Sequence, residues 1–257
     1  MSLNRPDSAA GAAPAPHLVP GPVSGPVSGL VPGQAPHHLG HVDVWIFDLD
    51  NTLYPASCNL FVQVEALIGA FIQDFLKIDA AEAKRLQKQY YRAHGTTLKG
   101  LMDHHGVEPA KFLDFVHAID VTPVPPSPAL DAALARLPGR KLIFTNGSVA
   151  HAENVMNRLG VAHHFEGVFD IVAAEYRPKP DPETYHALLR RHAIDPRGAT
   201  LFEDLPQNLV PAHALGMTTI LVRTDAEWAQ VGADGDHIHH VTDDLVAWLE
   251  ANTPPAR

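Results

Sequence analysis

From Pro128 to Arg223 the chain alternates between two kinds of text, and this restricts its fold more than any other feature. Helix-like ALDAALARLP leads to apolar KLIFTN, AHAENVMNRLG to strand-like FDIVAA, PETYHALLRRHA to ATLFED, and LVPAHALG to TTILVR. The strand-like runs are largely apolar and show no alternation with polar residues, as a strand covered on both faces requires. Strands of this kind interleaved with helices predict an α/β doubly wound parallel sheet. VWIF at 44–47 reads as one more buried strand. Open parallel sheets bind ligands beyond the carboxyl ends of their strands, so the residues that end them are the candidates for chemistry. These are Asp48 and Asp50, Thr145 and Asn146, and Glu203 and Asp204.

A long insertion separates the first strand from the rest. Phe61, Val64, Leu67, Ile68, Phe71, Ile72 and Phe75 recur at three- and four-residue steps, which predicts an amphipathic helix with this stripe in a core. AAEAKRLQKQYYRAHG and EPAKFLDFVHAI continue helical to about residue 119, and VTPVPPSP then breaks the pattern with four prolines. The expected organisation is a core of residues 41–56 and 121–250, a helical cap over 57–120, and a short tail at 251–257. Residues 1–40, Pro-, Gly- and Ala-rich with a tandem GPVS, bury too little to repay their ordering entropy and are expected to be a disordered tail.

Composition excludes several classes of partner. With Lys+Arg 19 against Asp+Glu 29 the net charge is -10, so no global basic field attracts a nucleic-acid polymer or an anionic membrane. No run approaches the ~18 apolar residues of a membrane span, and no secretory signal pattern opens the chain. Cys58 is the single cysteine, so no intramolecular disulfide exists, and a reducing, cytoplasmic location is expected. Oligomeric state has no signature in the sequence.

Three carboxylates meeting in one crevice repel one another unless a divalent cation neutralises them, and Mg²⁺ suits hard oxygen ligands. Lys179, in the proline-flanked RPKPDP, offers a fixed ammonium that can bind a phosphate and keep an aspartate ionised. Thr145, in FTNG, adds a hydroxyl, and Gly147 lets backbone N–H groups turn towards an oxyanion. Together these parts read as a phosphoryl-transfer site.

DLDNT at 48–52, TN at 145–146, KP at 179–180 and EDLPQN at 203–208 resemble the four ordered motifs of the haloacid dehalogenase superfamily. The resemblance implies a Rossmann-like core, with Asp48 as nucleophile forming an aspartyl-phosphate and Asp50 as acid and then base. It also implies Mg²⁺ held by the Asp48 carboxylate, the Asp50 backbone carbonyl and Asp204. The phosphoryl group would be bound by Thr145, Asn146 and Lys179, with Glu203 and Asn208 behind the metal ligands. Dehalogenase members lack the second aspartate, so Asp50 points to phosphatase chemistry.

HGTTLKGLMDHHGV, FLDFVHAID, LPGRKLIFTNGS, AAEYRPKPD and LFEDLPQNLVPAHALGMTTILV are similar to the pyrimidine 5′-nucleotidase group. The substrate so implied is a pyrimidine nucleoside 5′-monophosphate. Other expectations are a phosphatase for phosphoglycolate or a sugar phosphate, a phosphomutase, and a catalytically silent phosphate sensor. Thr96, Thr97, Lys99, His104 and His105 are cap candidates for touching substrate, and Tyr54 and Pro55 are placed to touch the leaving group. The dispersed histidine pairs, His163-His164 among them, lack strict ligand spacing and read as surface residues.

Overall fold

The computed structural model describes residues 39–224, 229 and 231–252. Six parallel strands form one sheet in the order β3-β2-β1-β4-β5-β6: β1 Val44–Phe47, β2 Arg140–Phe144, β3 Gly167–Phe169, β4 Ala199–Glu203, β5 Thr218–Val222 and β6 His240–Thr242. Val44 lies level with Arg140 on one side and Ala199 on the other, and Phe47 with Ile143 and Phe202. This register brings the ends of β1, β2 and β4 to one edge, where Asp48, Thr145 and Glu203 emerge side by side.

Strand side chains alternate between faces, and β1 shows the result. Trp45 and Phe47 enter a core with Leu134, Val155, Phe202 and Leu249, whereas Val44 and Ile46 enter a second with Leu142, Phe144, Tyr185 and Leu209. Phe47 stacks on Phe202 with centroids 4.6 Å apart, and the Trp45 indole N–H donates to Pro138 O at 2.7 Å. The covering helices are α5 Pro128–Arg136, α6 Val149–Leu159, α7 Pro182–His192, α8 Pro206–Ala214 and α9 Leu245–Asn252. Ser127, Ser148 and Asp181 cap the first three of these by accepting from backbone N–H groups of the first turn.

The insertion contains α1 Leu60–Leu76, α2 Ala80–His94, α3 Thr97–His105 and α4 Pro109–Val116, with an apolar cluster of their own around Ile72, Tyr90, Leu101 and Phe112. Three details depart from the sequence expectations. Phe61 and Phe75, placed in the core by spacing, are 39% and 45% exposed, because the few helices here cover only part of α1 and Phe75 stacks on Phe71 instead. The FDIVAA strand ends at Phe169, because Asp170 turns the chain by accepting from Val149 N and Ala173 N. Leu39, counted above with the tail, is buried beside Val42. Residues 1–38 of the expected tail lie outside the described residues.

Gly100 marks the closest approach within the insertion. A Cβ there would sit 2.4 Å from the Cβ and Cγ of Tyr90 on α2. Alanine is the better helix former by about 1 kcal/mol, yet here the clash must force α2 and α3 apart. Gly100→Ala is therefore expected to destabilise the protein by about 1–3 kcal/mol, read as a lowered urea midpoint; a raised midpoint would show that the contact is loose.

Candidate active site

Lys179 is the pivot. The Asn146 side chain pins its backbone from both sides, with Oδ1 accepting from Lys179 N at 2.8 Å and Nδ2 donating to Lys179 O at 3.4 Å. The side chain, only 3% exposed, donates to Asp48 Oδ1 at 2.7 Å, Glu203 Oε2 at 2.6 Å and Phe144 O at 2.9 Å. All three ammonium hydrogens are thus engaged. Burial disfavours the charge, but the two carboxylates outweigh it and hold the Lys179 pKa above its ordinary value.

One cation serves three buried acids, and the surplus shows. Burial, followed by the nearby Glu203 charge, pushes Asp48 up to about 7 in spite of Lys179. Burial, Glu203 and Asp48 raise Asp204 well above the usual carboxylate range. Carboxylate oxygens of Asp48, Glu203 and Asp204 lie within 4.8 Å of one another, a spacing and donor set that fit a hard divalent cation. Glu203 is already engaged by the protein: Oε2 meets Lys179, and Oε1 accepts from Asn208 Nδ2 at 3.0 Å and Leu205 N at 3.3 Å. Among the described residues Asp204 receives a 3.4 Å contact from Asn51, and Asp48 Oδ2 one of 3.4 Å from Thr52, long contacts that leave lone pairs on both carboxylates for a cation.

Asp50 is kept apart from this cluster. Its Oδ1 accepts from His151 Nε2 at 2.8 Å and from the Tyr54 hydroxyl. Burial would raise its pKa, but the His151 charge and both hydrogen bonds bring it down to about 2. His151 shifts the other way: burial opposes its charge, and Asp50 outweighs burial and raises it. His117, just beyond α4, stacks on His151 with centroids 4.6 Å apart and planes 12° apart. Burial and the His151 charge push His117 down to about 4, so it stacks as a neutral ring.

The other sequence candidates scatter. Thr145 is buried at the end of β2, its hydroxyl accepting from Gly147 N at 2.9 Å. Tyr54, expected to meet the leaving group, is 2% exposed and turned inwards to Asp50. Thr97 is buried against Gln87 O, Thr96 caps α3, and His105 bonds the Tyr90 hydroxyl, so these three serve the insertion's own packing. Lys99 pairs with Asp103 and lines a cavity of about 260 Å³ together with His94, Arg177 and Pro178. His163 and His164 converge on Asp131 at 3.2 and 2.7 Å, a meeting that their sequence separation concealed. Sequence reasoning missed His151, His117 and Tyr91. The phenol of Tyr91, on α2, is pushed up by burial and by Asp204 and Glu203, so it lies within the field of the carboxylates.

Residues 42–216 match the haloacid dehalogenase-like hydrolases. The chain belongs to this family. Among its relatives, phosphate metabolism protein 8 of Saccharomyces cerevisiae is 28% identical over 196 residues, covering 69% of this chain and 60% of the yeast protein. The match thus spans less than two thirds of that relative. Fructose-1-phosphate phosphatase YqaB of Escherichia coli is 25% identical, covering 69% of this chain and 95% of that protein. Glyceraldehyde 3-phosphate phosphatase of Methanopyrus kandleri is 28% identical, with 69% and 82% covered. The fold is shared with a haloacid dehalogenase phosphatase structure from Thermococcus onnurineus, at a TM-score of 0.57 and 14% identity over 81% of this chain and 97% of that one. This haloacid dehalogenase-like core is the six-stranded parallel sheet described above. No helix among the described residues is long and apolar enough to cross a membrane.

Removing one partner of a buried ion pair costs about 3–5 kcal/mol. Lys179→Met, which leaves Asp48 and Glu203 facing each other, should lose about that much at pH 7 in urea unfolding. The deficit should shrink towards pH 5 as the strandedcarboxylates take up protons; a pH-independent deficit would contradict the electrostatic account.

Proposed function

We propose that this haloacid dehalogenase-like hydrolase is a phosphatase for a small phosphate monoester, acting through an aspartyl-phosphate on Asp48. The observation that carries the reading is the opposite treatment of two aspartates two residues apart. Asp48 accepts from Lys179 at 2.7 Å and opens on Glu203 and Asp204, whereas Asp50 meets His151 at 2.8 Å and the Tyr54 hydroxyl. Carboxylates so near in sequence but with separate partners can be given different work, one as nucleophile and one as acid and base.

In this scheme the Asp48 carboxylate attacks phosphorus and the ester P–O bond breaks. The departing oxygen takes a proton from the Asp50 carboxyl. Water then attacks the acyl phosphate and gives a proton back to Asp50. Inorganic phosphate leaves and the Asp48 carboxylate is restored. Lys179, Thr145 and Asn146 are assigned to the phosphoryl oxygens, and Glu203 with Asn208 fixes Lys179. Asp48, Asp204 and the Asp50 backbone carbonyl would hold Mg²⁺, which when bound supplies neutralising charge for the phosphate. The helices of 57–120 are assigned the role of a cap that covers the leaving group, with Tyr91 within the field of the carboxylates.

For the substrate we favour a pyrimidine nucleoside 5′-monophosphate, supported by the segment-by-segment likeness to that nucleotidase group. A sugar or triose phosphate is the second reading, supported by the names of the bacterial and archaeal relatives. Phosphate release from UMP, CMP, AMP, GMP, fructose 1-phosphate, glyceraldehyde 3-phosphate and phosphoglycolate separates the two. A chain that binds these esters with Mg²⁺ but releases no phosphate would be a sensor instead. Asp48→Asn is expected to abolish turnover while keeping the fold, and retained activity would overturn the nucleophile assignment.

Metal binding should also be linked to protons. Asp48 has its folded pKa raised from 3.8 to about 7, so the metal-free folded protein holds a proton that the unfolded chain releases. Its stability therefore falls as pH rises from about 4 to about 7, the sign for a raised carboxyl. Mg²⁺ competes with that proton. The rise in melting temperature on adding Mg²⁺ should be larger at pH 8 than at pH 5, and an equal rise at both would remove these carboxylates from the binding site.

A further inference from the structure

The Asp50 carboxylate is unevenly occupied. Both protein donors, His151 Nε2 and the Tyr54 hydroxyl, meet Oδ1, and among the described residues Oδ2 has no partner. His151 Nε2 lies 2.8 Å from Oδ1, so it holds that oxygen and leaves Oδ2 open to carry the proton that Asp50 gives as an acid. His151 is itself fixed on several sides. Its backbone N–H donates to the Ser148 cap of α6 at 3.3 Å, and its ring lies on that of His117, whose Nδ1 is 2.8 Å from Ser148 Oγ. The ring lies close against Gly147, where a Cβ would come within 3.2 Å of His151 Cδ2 and crowd it. Its side chain is 1% exposed, and its Nδ1 is buried without a partner, so Asp50 is the ring's one hydrogen-bonded contact among the described residues.

We propose that His151 is a positioning residue: by anchoring Oδ1 of Asp50 it turns Oδ2 towards the oxygen that leaves the phosphate. The inference rests on the phosphatase reading and adds to it the residue that aims the acid. Tyr54 supplies the second anchor from the same loop as Asp50. His117 holds the ring plane from the segment that returns from the helical insertion. A carboxylate hinged only at its Cβ would sample other rotamers, and general acid catalysis, worth about 10²–10⁴-fold, depends on reach and alignment.

The test uses the full chain with Mg²⁺, an alkyl monoester that the wild type hydrolyses, and p-nitrophenyl phosphate, whose leaving group departs without a proton. His151→Met keeps bulk and loses the donor; His151→Gln keeps an N–H near the position of Nε2. Expected for His151→Met is a fall in kcat on the alkyl ester of about 30-fold with KM within about 3-fold. The pre-steady-state release of nitrophenolate should fall far less. His151→Gln should recover most of the lost rate, and on an Asp50→Asn background His151→Met should cost nothing further. Equal losses on both esters, failure of glutamine to recover the rate, or an additive double variant would each reduce His151 to a packing residue. If His151→Met does not fold, His151→Leu takes its place in each of these comparisons, alone and on the Asp50→Asn background. A wild type that hydrolyses no monoester would overturn the phosphatase reading and this inference together. A wild type matched by a folded His151→Met on the alkyl ester would overturn the inference alone.

Discussion

Everything at the carboxyl edge of the sheet depends on one ammonium. Lys179 reaches a crevice where Asp48, Glu203 and Asp204 would otherwise expel one another, and its three hydrogens tie together the ends of β1, β2 and β4. Strands of a parallel sheet already stand in register, but register fixes backbones, not charged side chains. The lysine converts three neighbouring strand ends into one electrostatic unit. It remains short of full neutrality, and the remaining negative charge makes the crevice receptive to a divalent ion.

The two aspartates after β1 show how backbone geometry can divide like charges. Side chains two residues apart on a continuing strand would share a face. Here the strand stops at Phe47, and the chain turns through Asn51 at a left-handed φ of 59°. Asp48 stays over the sheet with Lys179, while Asp50 swings to α6 and its histidine. The separation gives each carboxylate its own counter-charge and so its own affinity for protons. A longer β1 would have merged the two environments.

The fold was legible because its signals were local and repeated. Apolar strands followed by helices left little choice but a doubly wound sheet, and the residues ending β1, β2 and β4 did converge. What escaped had non-local causes. His151 reads as an ordinary residue in the first turn of AHAENV, and its meeting with Asp50 is made by β1 and β2 lying side by side. His117 lies 34 positions before it, and no pattern joins them. Phe61 and Phe75 fit a core stripe by spacing, yet spacing does not say how many helices will cover a face. β6 and α9 were not read because a three-residue strand, HVT, carries too few residues to show any period.

The sheet is robust in its middle and brief at its margins. β1, β2, β4 and β5 lie in the interior of the order, and the two outermost strands, β3 and β6, are three residues long. A margin so short offers few unpaired backbone groups for another chain to add to, which guards against edge-to-edge aggregation. It also places the chemistry as far from those margins as the order allows. Growth, fusion or drift at either border could therefore proceed over evolutionary time while the central crevice keeps its shape.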